Sequence, residues 1–445
     1  MAVKKSARKG IVCLLIIMCF GMLCSCAKEV PIATASSETE ESEKETAAPL
    51  EKGYNLPVSD EEKAEAEREC QAVMEIMKEI YIKADKGDAV NVVISDETIL
   101  QMVEIAGEKG YSVIGSGIYS NMRNYETVEA FLETVADGKS ATATIYEISS
   151  DGGAERQKYI YDGTDMYVIS AKYSWNDKND AQLTYMSNTR IKEWRYSEKG
   201  WFGYELCVPE YPEVTEMVDG SCLIRIKPIT KVNREYSEKY VQVPGYQGNN
   251  LLCSNWNAEQ LEKLDYNGMY EYLYQMKYNK RLYSEDYPNG IPKEEFENLI
   301  TEYIPVTAEQ VREYAVFDEK CQTYAWVRLG CLNYAPTSFG TAFPEVTNVK
   351  ENGDGTITLT IDAVCEMCLC DEDVITHELV IRNEGDGSFQ YLGNKILDDG
   401  MERIPDYQYR IRAASSCRRT WLAFWLGKWK ASPKGGKRQN IPNRF

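Results

Sequence analysis

The strongest constraint on this chain is a change of texture at Ala141. Before it, apolar residues recur at helical spacing. After it, short β-branched and aromatic runs alternate with turn signals. Ser59 followed by Glu62 reads as a capping box, and the acids after Ser59 sit where a helix dipole favours them. Ala66, Cys70, Val73, Met77, Ile80 and Ala84 then form one stripe of a long helix ending near Gly87, and core packing accounts for the stripe. Val90 to Ile94 reads as a strand. Ser95 caps a helix running to Lys109 and stopped by Gly110. Tyr111 to Ile114 reads as a strand, and residues 124–136 as a third helix.

From Ala141 to Ile148 and again from Gln157 to Tyr161, runs of strand-forming residues flank Ser150-Asp151-Gly152-Gly153, a hairpin signal. Strands near 166–173, 182–187, 190–197 and 201–208 continue an antiparallel meander, and residues 222–243 are expected to add one or two more. Residues 244–256 form a loop and a natural division. A helical block follows, with capping boxes at Asn257/Gln260 and Thr307/Gln310 and with Pro292 placed for a helix N1 position. Strands resume at Thr323 to Leu329. The clearest β signals are Asn352-Gly-Asp-Gly355 leading into Thr356 to Val364, and Glu384-Gly-Asp-Gly387 between Glu378–Arg382 and Phe389–Leu392. Each turn offers one or two carboxylates where calcium takes roughly six to eight oxygens, so hairpin turns are the reading adopted. The expected fold class is α+β: N-terminal helices with an antiparallel β-meander, then a helical insert and C-terminal antiparallel β-hairpins. The expected parts are 59–243 and 244–409, the two halves of the folded body.

Charge narrows the function. The formal net charge is −20, yet residues 1–25 carry +4 and residues 410–445 carry +10 with no acid in either, which leaves −34 on the remainder. So acidic a body repels phosphate backbones, which excludes a nucleic-acid partner. With one histidine in 445 residues, His-rich metal sites are excluded too, and a catalytic triad would have to use that residue.

Residues 1–25 read as a signal peptide. A basic stretch with Lys4, Lys5, Arg8 and Lys9 precedes an apolar run from Ile11 to Leu23. Those 13 residues fall short of the roughly 20 a bilayer span needs. Leu23-Cys24-Ser25-Cys26 resembles the bacterial lipobox, with Cys26 at the position that is lipidated and becomes the mature N-terminus. Two acyl chains there would give stable anchoring where one is marginal. Residues 26–58 include an acidic run, Ala33 to Pro49, without aromatics or much to bury; such a segment cannot recover its ordering entropy and reads as a disordered tether. Thirty such residues reach about 30 Å.

Several runs together resemble a known group of proteins. These are Asn352-Gly-Asp-Gly-Thr-Ile-Thr-Leu-Thr360, Thr376-His377-Glu378-Leu379, Gly387 to Asn394, Ile191-Lys-Glu-Trp-Arg-Tyr196 and Gly200-Trp-Phe-Gly-Tyr204. They resemble a family of uncharacterised lipoproteins of anaerobic Gram-positive gut bacteria, catalogued as a domain of unknown function, over roughly residues 60–409. The resemblance implies a lipid anchor and no catalytic residue, since no activity is established for the family.

The sharpest chemical constellation is Cys365, Cys368 and Cys370 with His377 seven residues on. Thiolates with an imidazole suit zinc or iron. Strand parity opposes it: Ile357, Leu359, Ile361, Ala363 and Cys365 share one face, Cys368 and Cys370 the other, and His377 alternates in phase with Ile375, Leu379 and Ile381. A Cys–His nucleophilic pair would need a third group to orient it, and the sequence supplies none. No metal and no cofactor is therefore expected. Cys207 with Cys222 and Cys321 with Cys331 are the disulfide pairings to check; buried thiols are an equal alternative, and the anaerobic source that the resemblance implies would leave them reduced.

Two aromatic stretches, Tyr270/Tyr272/Tyr274/Tyr278 and Trp194/Tyr196/Trp201/Tyr204, offer stacking platforms or half-buried core. Residues 410–445, basic and with Trp421, Phe424, Trp425 and Trp429, resemble an interfacial membrane anchor, but the abruptness of the change after Tyr409 favours an end foreign to the domain; both readings place them outside the core. The expected protein is thus lipid-anchored at the cell membrane on its extracytoplasmic face. It is expected to act as a ligand-binding or envelope-accessory module whose partners are the membrane, through Cys26, and a cell-wall polymer, peptide or envelope protein. The alternative is an extracytoplasmic enzyme with a site near His377.

Overall fold

The computed structural model describes residues 52–87, 91–329, 342–365, 375–404 and 406–411. Cys26, Cys331, Cys368 and Cys370 lie outside the described residues, as does the tail beyond Ile411. The architecture is mixed α+β: N-terminal helices with a large antiparallel-dominated sheet, then helices and C-terminal antiparallel strands. No helix among the described residues is long and apolar enough to cross a membrane.

Helix α1 (Asp60–Lys83) starts where Ser59 accepts from the Glu62 N–H at 3.1 Å, with Asp60, Glu61 and Glu62 in the first turn. It buries Ala66, Cys70, Val73 and Met77 of the expected stripe, together with Met74 and Tyr81. Helix α2 (Asp96–Glu108) is capped by Ser95, and Gly110 beyond it takes φ +93, a conformation only glycine adopts without strain. Residues 91–94 form no strand, although the Ile94 N–H donates to Ser150 O. The strand expected over Tyr111–Ile114 is β1 (Val113–Gly115), and helix α3 spans Tyr125–Ala136.

β1 pairs in parallel with β2 (Ala141–Ile148), and an antiparallel meander follows: β3 (Ala154–Tyr161), β4 (Met166–Trp175), β5 (Ala181–Tyr196), β6 (Trp201–Leu206) and β7 (Ser221–Arg225). The two strands expected over 182–187 and 190–197 are one, because the polar pair Ser187-Asn188 continues the ladder opposite Ser170 and Ile169 instead of turning. Alternation in β2 sorts the sheet's two faces. Tyr146 and Ile148 pack with α1 and α2, while Ala143 and Ile145 pack with α3. Residues 222–243 supply one strand only: after β7, Thr230 caps α4 (Lys231–Tyr236), which runs on as a π-helical turn over Ser237–Val241.

The second half is built on the meander β11 (Phe343–Glu351), β12 (Thr356–Val364), β13 (Thr376–Asn383) and β14 (Phe389–Ile396). Both predicted turns are there, and they are built alike. Asp354 accepts from the N–H and hydroxyl of Thr356, and Asp386 from those of Ser388, with Gly355 and Gly387 at positive φ. These carboxylates are spent closing hairpins. Against the meander pack α5 (Tyr266–Tyr278) and α6 (Lys293–Tyr303), sharing a core with Trp256, Leu261, Phe296 and Tyr391. The box expected at Asn257 is absent: Asn257 accepts from the Glu259 N–H in a tight turn, and Asp265 caps α5 instead. Pro292 precedes α6 as its cap residue rather than its first turn. The Thr307/Gln310 box is complete at the start of α7 (Ala308–Tyr314). The strand expected from Thr323 to Leu329 shrinks to β10 (Thr323–Tyr324) between β8 (Ile291–Pro292) and β9 (Phe317–Asp318). Helix α8 is a single turn, Gly400–Arg403.

The two halves are joined through buried charge. Arg225 of β7 pairs with Glu345 of β11, both nearly inaccessible, and its guanidinium lies 4.2 Å from the Trp201 ring centre. Lys199 reaches buried Asp362 at 3.0 Å, and the Tyr119 hydroxyl donates to Pro344 O.

Candidate functional site

His377 lies on β13 opposite Ile361, fully buried, in phase with Ile375, Leu379 and Ile381 as parity requires. Its ring is 2.6 Å through Nδ1 from Asn394 Oδ1 and 2.9 Å through Nε2 from the Tyr246 hydroxyl. The tautomer follows from the partners. The Asn394 amide nitrogen donates to Leu252 O and Ser254 O, so its oxygen faces the ring and must accept from Nδ1–H; Nε2 then accepts from Tyr246. Burial pushes the imidazole down from 6.5 to about 4, against the opposing pull of Asn394 and of Asp362. The histidine is neutral, with both nitrogens occupied.

These bonds hold the loop over residues 244–256 onto β14. Trp256 and Asn394 exchange backbone bonds of 3.0 and 2.9 Å, and the Ile396 N–H donates to Asn255 Oδ1. The geometry makes His377 a pin between a strand and the loop covering it. A general base needs an open nitrogen within reach of substrate, which His377 does not have.

Cys365 is buried at the end of the apolar face of β12, as expected, and among the described residues no three acidic, thiol or imidazole groups gather to hold a metal. Cys207 and Cys222 remain separate thiols despite lying near neighbouring strands, and Cys321 is an exposed thiol. Burial pushes the Cys70 and Cys253 thiols up to about 12, away from the nucleophilic form. The aromatic stretches divide between core and surface. Tyr270, Trp201 and Tyr204 are buried, Tyr272, Tyr274, Trp194 and Tyr196 half-buried, and Tyr278 exposed.

Sequence reasoning missed the densest charge cluster. Arg156 of β3 is fully buried and donates through Nε to Glu69 at 2.6 Å, through one terminal nitrogen to Glu62 at 3.1 Å and through the other to Glu65 at 3.3 Å. Lys158 joins Glu62 and Glu65 at 2.7 and 2.9 Å, and the Tyr146 hydroxyl donates to Glu69. Glu62 is thereby diverted from the capping-box bond the sequence suggested. Glu62, Glu65 and Glu69 at helical spacing, with Arg156 and Lys158 at strand spacing, were the available signal. The cluster fastens α1 to the sheet.

Arg410, counted with the tail on charge alone, belongs to the core. Its side chain is almost inaccessible, 2.7 Å from Glu271, and donates to Gly248 O, Gly268 O and Val327 O. Tyr407 beside it donates to Asp265, the cap of α5.

Two open clefts lie on the surface of the described residues. One of about 600 Å³ runs between the end of α1 and α2, with Ile76, Ile80 and Ile105 below a rim of Glu75, Lys78 and Lys83. The other, about 330 Å³, lies at the start of α3 beside Asn121, Arg123 and Arg234. Arg123 is paired with Glu104 at 3.5 Å.

No curated protein and no solved structure matches the chain. A family model does, over residues 63–410, from the first turn of α1 to the buried arginine at the end of the fold. On that match the chain belongs to DUF6070, a family of unknown function.

Proposed function

We propose that the protein is a lipid-anchored, extracytoplasmic binding or envelope-accessory module, held to the membrane through Cys26. The observation that carries this reading is an order of segments: a basic and apolar leader, Leu23-Cys24-Ser25-Cys26, an acidic stretch without aromatics, and a folded body from Lys52 onward. That order suits a module displayed at a distance from a membrane. The occupied ring of His377 and the raised thiols of Cys70 and Cys253 favour binding over catalysis. The resembled lipoproteins of anaerobic Gram-positive gut bacteria favour a cell-wall polymer, a peptide or an envelope protein as the partner class.

Intact mass of the membrane-extracted protein, wild type against Cys26→Ala, tests the anchor. The expected wild-type species begins at Cys26 and carries diacylglycerol, and the variant loses both the lipid and its place in the membrane fraction. An unlipidated wild-type protein in the soluble fraction overturns the reading.

A further inference from the structure

Strand β5 has unequal neighbours along its length. β4 pairs with it from Ala181 to Ile191, whereas β6 joins only from Ile191 onward. On the side away from β4, the chain's own residues 53–57 fill the next stretch. The Arg190 N–H donates to Gly53 O at 2.6 Å, the Leu56 N–H to Asn188 O at 3.0 Å, and Asn188 Nδ2 to Pro57 O at 2.9 Å. Ser59 then opens α1 and the chain leaves the sheet. Over Ala181–Ser187 no strand or segment among the described residues pairs with that side.

Alternation shows what this edge presents. Asn188 and Arg190 direct backbone groups outward, and the register to β4 is unbroken from Met186 to Ile191, so the N–H and C=O of Met186 point outward as well. Strands left open in this way are normally blunted by lysine, proline or a bulge. Ala181–Ser187 contains no charge and no proline; its blunting device is a bulge at Thr184, the extra residue between Leu183 opposite Tyr173 and Tyr185 opposite Lys172. Leu183 is 44% and Tyr185 56% exposed. Leu183 stands opposite Tyr173, which lies beneath α1, and Tyr185 opposite Lys172, so the two side chains serve opposite faces.

We infer that Ala181–Ser187 is a docking edge for an extended segment of a partner polypeptide, added as an extra antiparallel strand in line with residues 53–57. This rests on the binding-module reading and narrows its ligand to a peptide. Main-chain pairing supplies the affinity, and Leu183 and Tyr185 read guest side chains on opposite faces of the sheet. Next to the site the chain's own uncharged run Gly53-Tyr54-Asn55-Leu56-Pro57 makes two backbone bonds to this side of β5, as a bent strap with Gly53 and Asn55 at positive φ rather than as a strand. An uncharged or weakly basic segment fits best, because a second copy of so acidic a body would be repelled.

The test uses the full chain and the fluorescein-labelled peptide acetyl-Lys-Thr-Val-Thr-Tyr-Thr-Val-Thr-amide. Saturable binding is expected, with exchange of the Met186 amide slowed about tenfold or more at saturation. Met186→Pro and Tyr185→Lys should each weaken binding about tenfold or more while keeping the wild-type fold by circular dichroism, since an edge position with an outward N–H tolerates proline and lysine blocks pairing. The inference is overturned by absence of saturable binding up to about 1 mM peptide, or by binding that neither variant weakens. It is equally overturned if the Met186 amide is protected without peptide. Protection independent of dilution would mean the chain covers its own edge, and protection lost on dilution would mean a second copy does. Each of these leaves the mass measurement on Cys26 untouched, so the two readings fail separately.

Discussion

Acidification from about pH 7.5 to about pH 5 should cost this protein about 2 kcal/mol through a single residue. In the unfolded chain His377 titrates near its ordinary 6.5, whereas burial holds it at about 4 in the fold. A depressed folded value means that the unfolded chain takes up the proton first. The stability contributed by keeping the ring neutral is whole above 6.5 and drains away as pH falls toward 4. Each unit of pH inside that window is worth about 1.4 kcal/mol, less near the upper limit where the unfolded ring is only partly protonated. Because the chain has one histidine, the assay is unusually clean. Urea unfolding at several pH values gives the slope, and the same series on His377→Gln separates the histidine's share from that of the buried Asp265 and Glu271 carboxyls, which burial pushes up. One imidazole signal in the NMR spectrum reports the site directly. His377→Gln lowers stability at every pH, since Tyr246 and Asn394 lose a partner, and it removes this slope. A ring titrating near 6.5 in the folded protein would refute the reasoning, as would an unchanged slope in the variant.

Two other substitutions test the charge clusters. Arg156→Met should cost about 3 kcal/mol by leaving Glu62, Glu65 and Glu69 around an apolar side chain, at the low end for a broken buried pair because the carboxylates are partly solvated and Lys158 remains; a melting temperature within about 1 °C of wild type would sink the claim that this cluster fastens α1. Arg410→Met should cost about 3 kcal/mol as well, and Arg410→Lys should recover only part of it, because an ammonium cannot span Glu271 and three carbonyls at once. Denaturant midpoints of the two variants decide this, and equal midpoints would contradict the fork-shaped contact.

What was legible in the sequence is what local chemistry decides. The two Gly-Asp-Gly turns, the Ser95 cap and the full box at Thr307 depend on side chains within three residues of one another and stand as read, while of the box read at Ser59 only the Ser59 half forms, because Arg156 and Lys158 take the Glu62 carboxylate. The strand content of 222–243 was overread because Lys231–Tyr236 buries no residue, so helical periodicity had nothing to mark. Asn257 looked like a helix start because its spacing to Gln260 was right, but that asparagine closes a turn and the helix waits for Asp265. His377 was placed correctly on the apolar face, while the partners that spend its nitrogens, at 246 and 394, are too distant in sequence to foresee. Arg156 and Arg225 were invisible for a related reason. A charged residue in an alternating strand reads as outward-facing unless its opposite charges are known to sit above it.

Residues 52–57 also set how the domain bears tension. Any pull on the chain from its N-terminal side enters at Lys52, which with Tyr54 grips Glu213, and then meets the backbone bonds of Gly53 and Leu56 to Arg190 and Asn188. These few bonds lie ahead of α1, whose acids are clamped by Arg156 and Lys158. Tension applied there would therefore peel a short strap from β5 first and reach the folded core only afterwards, giving the domain a mechanical fuse of six residues.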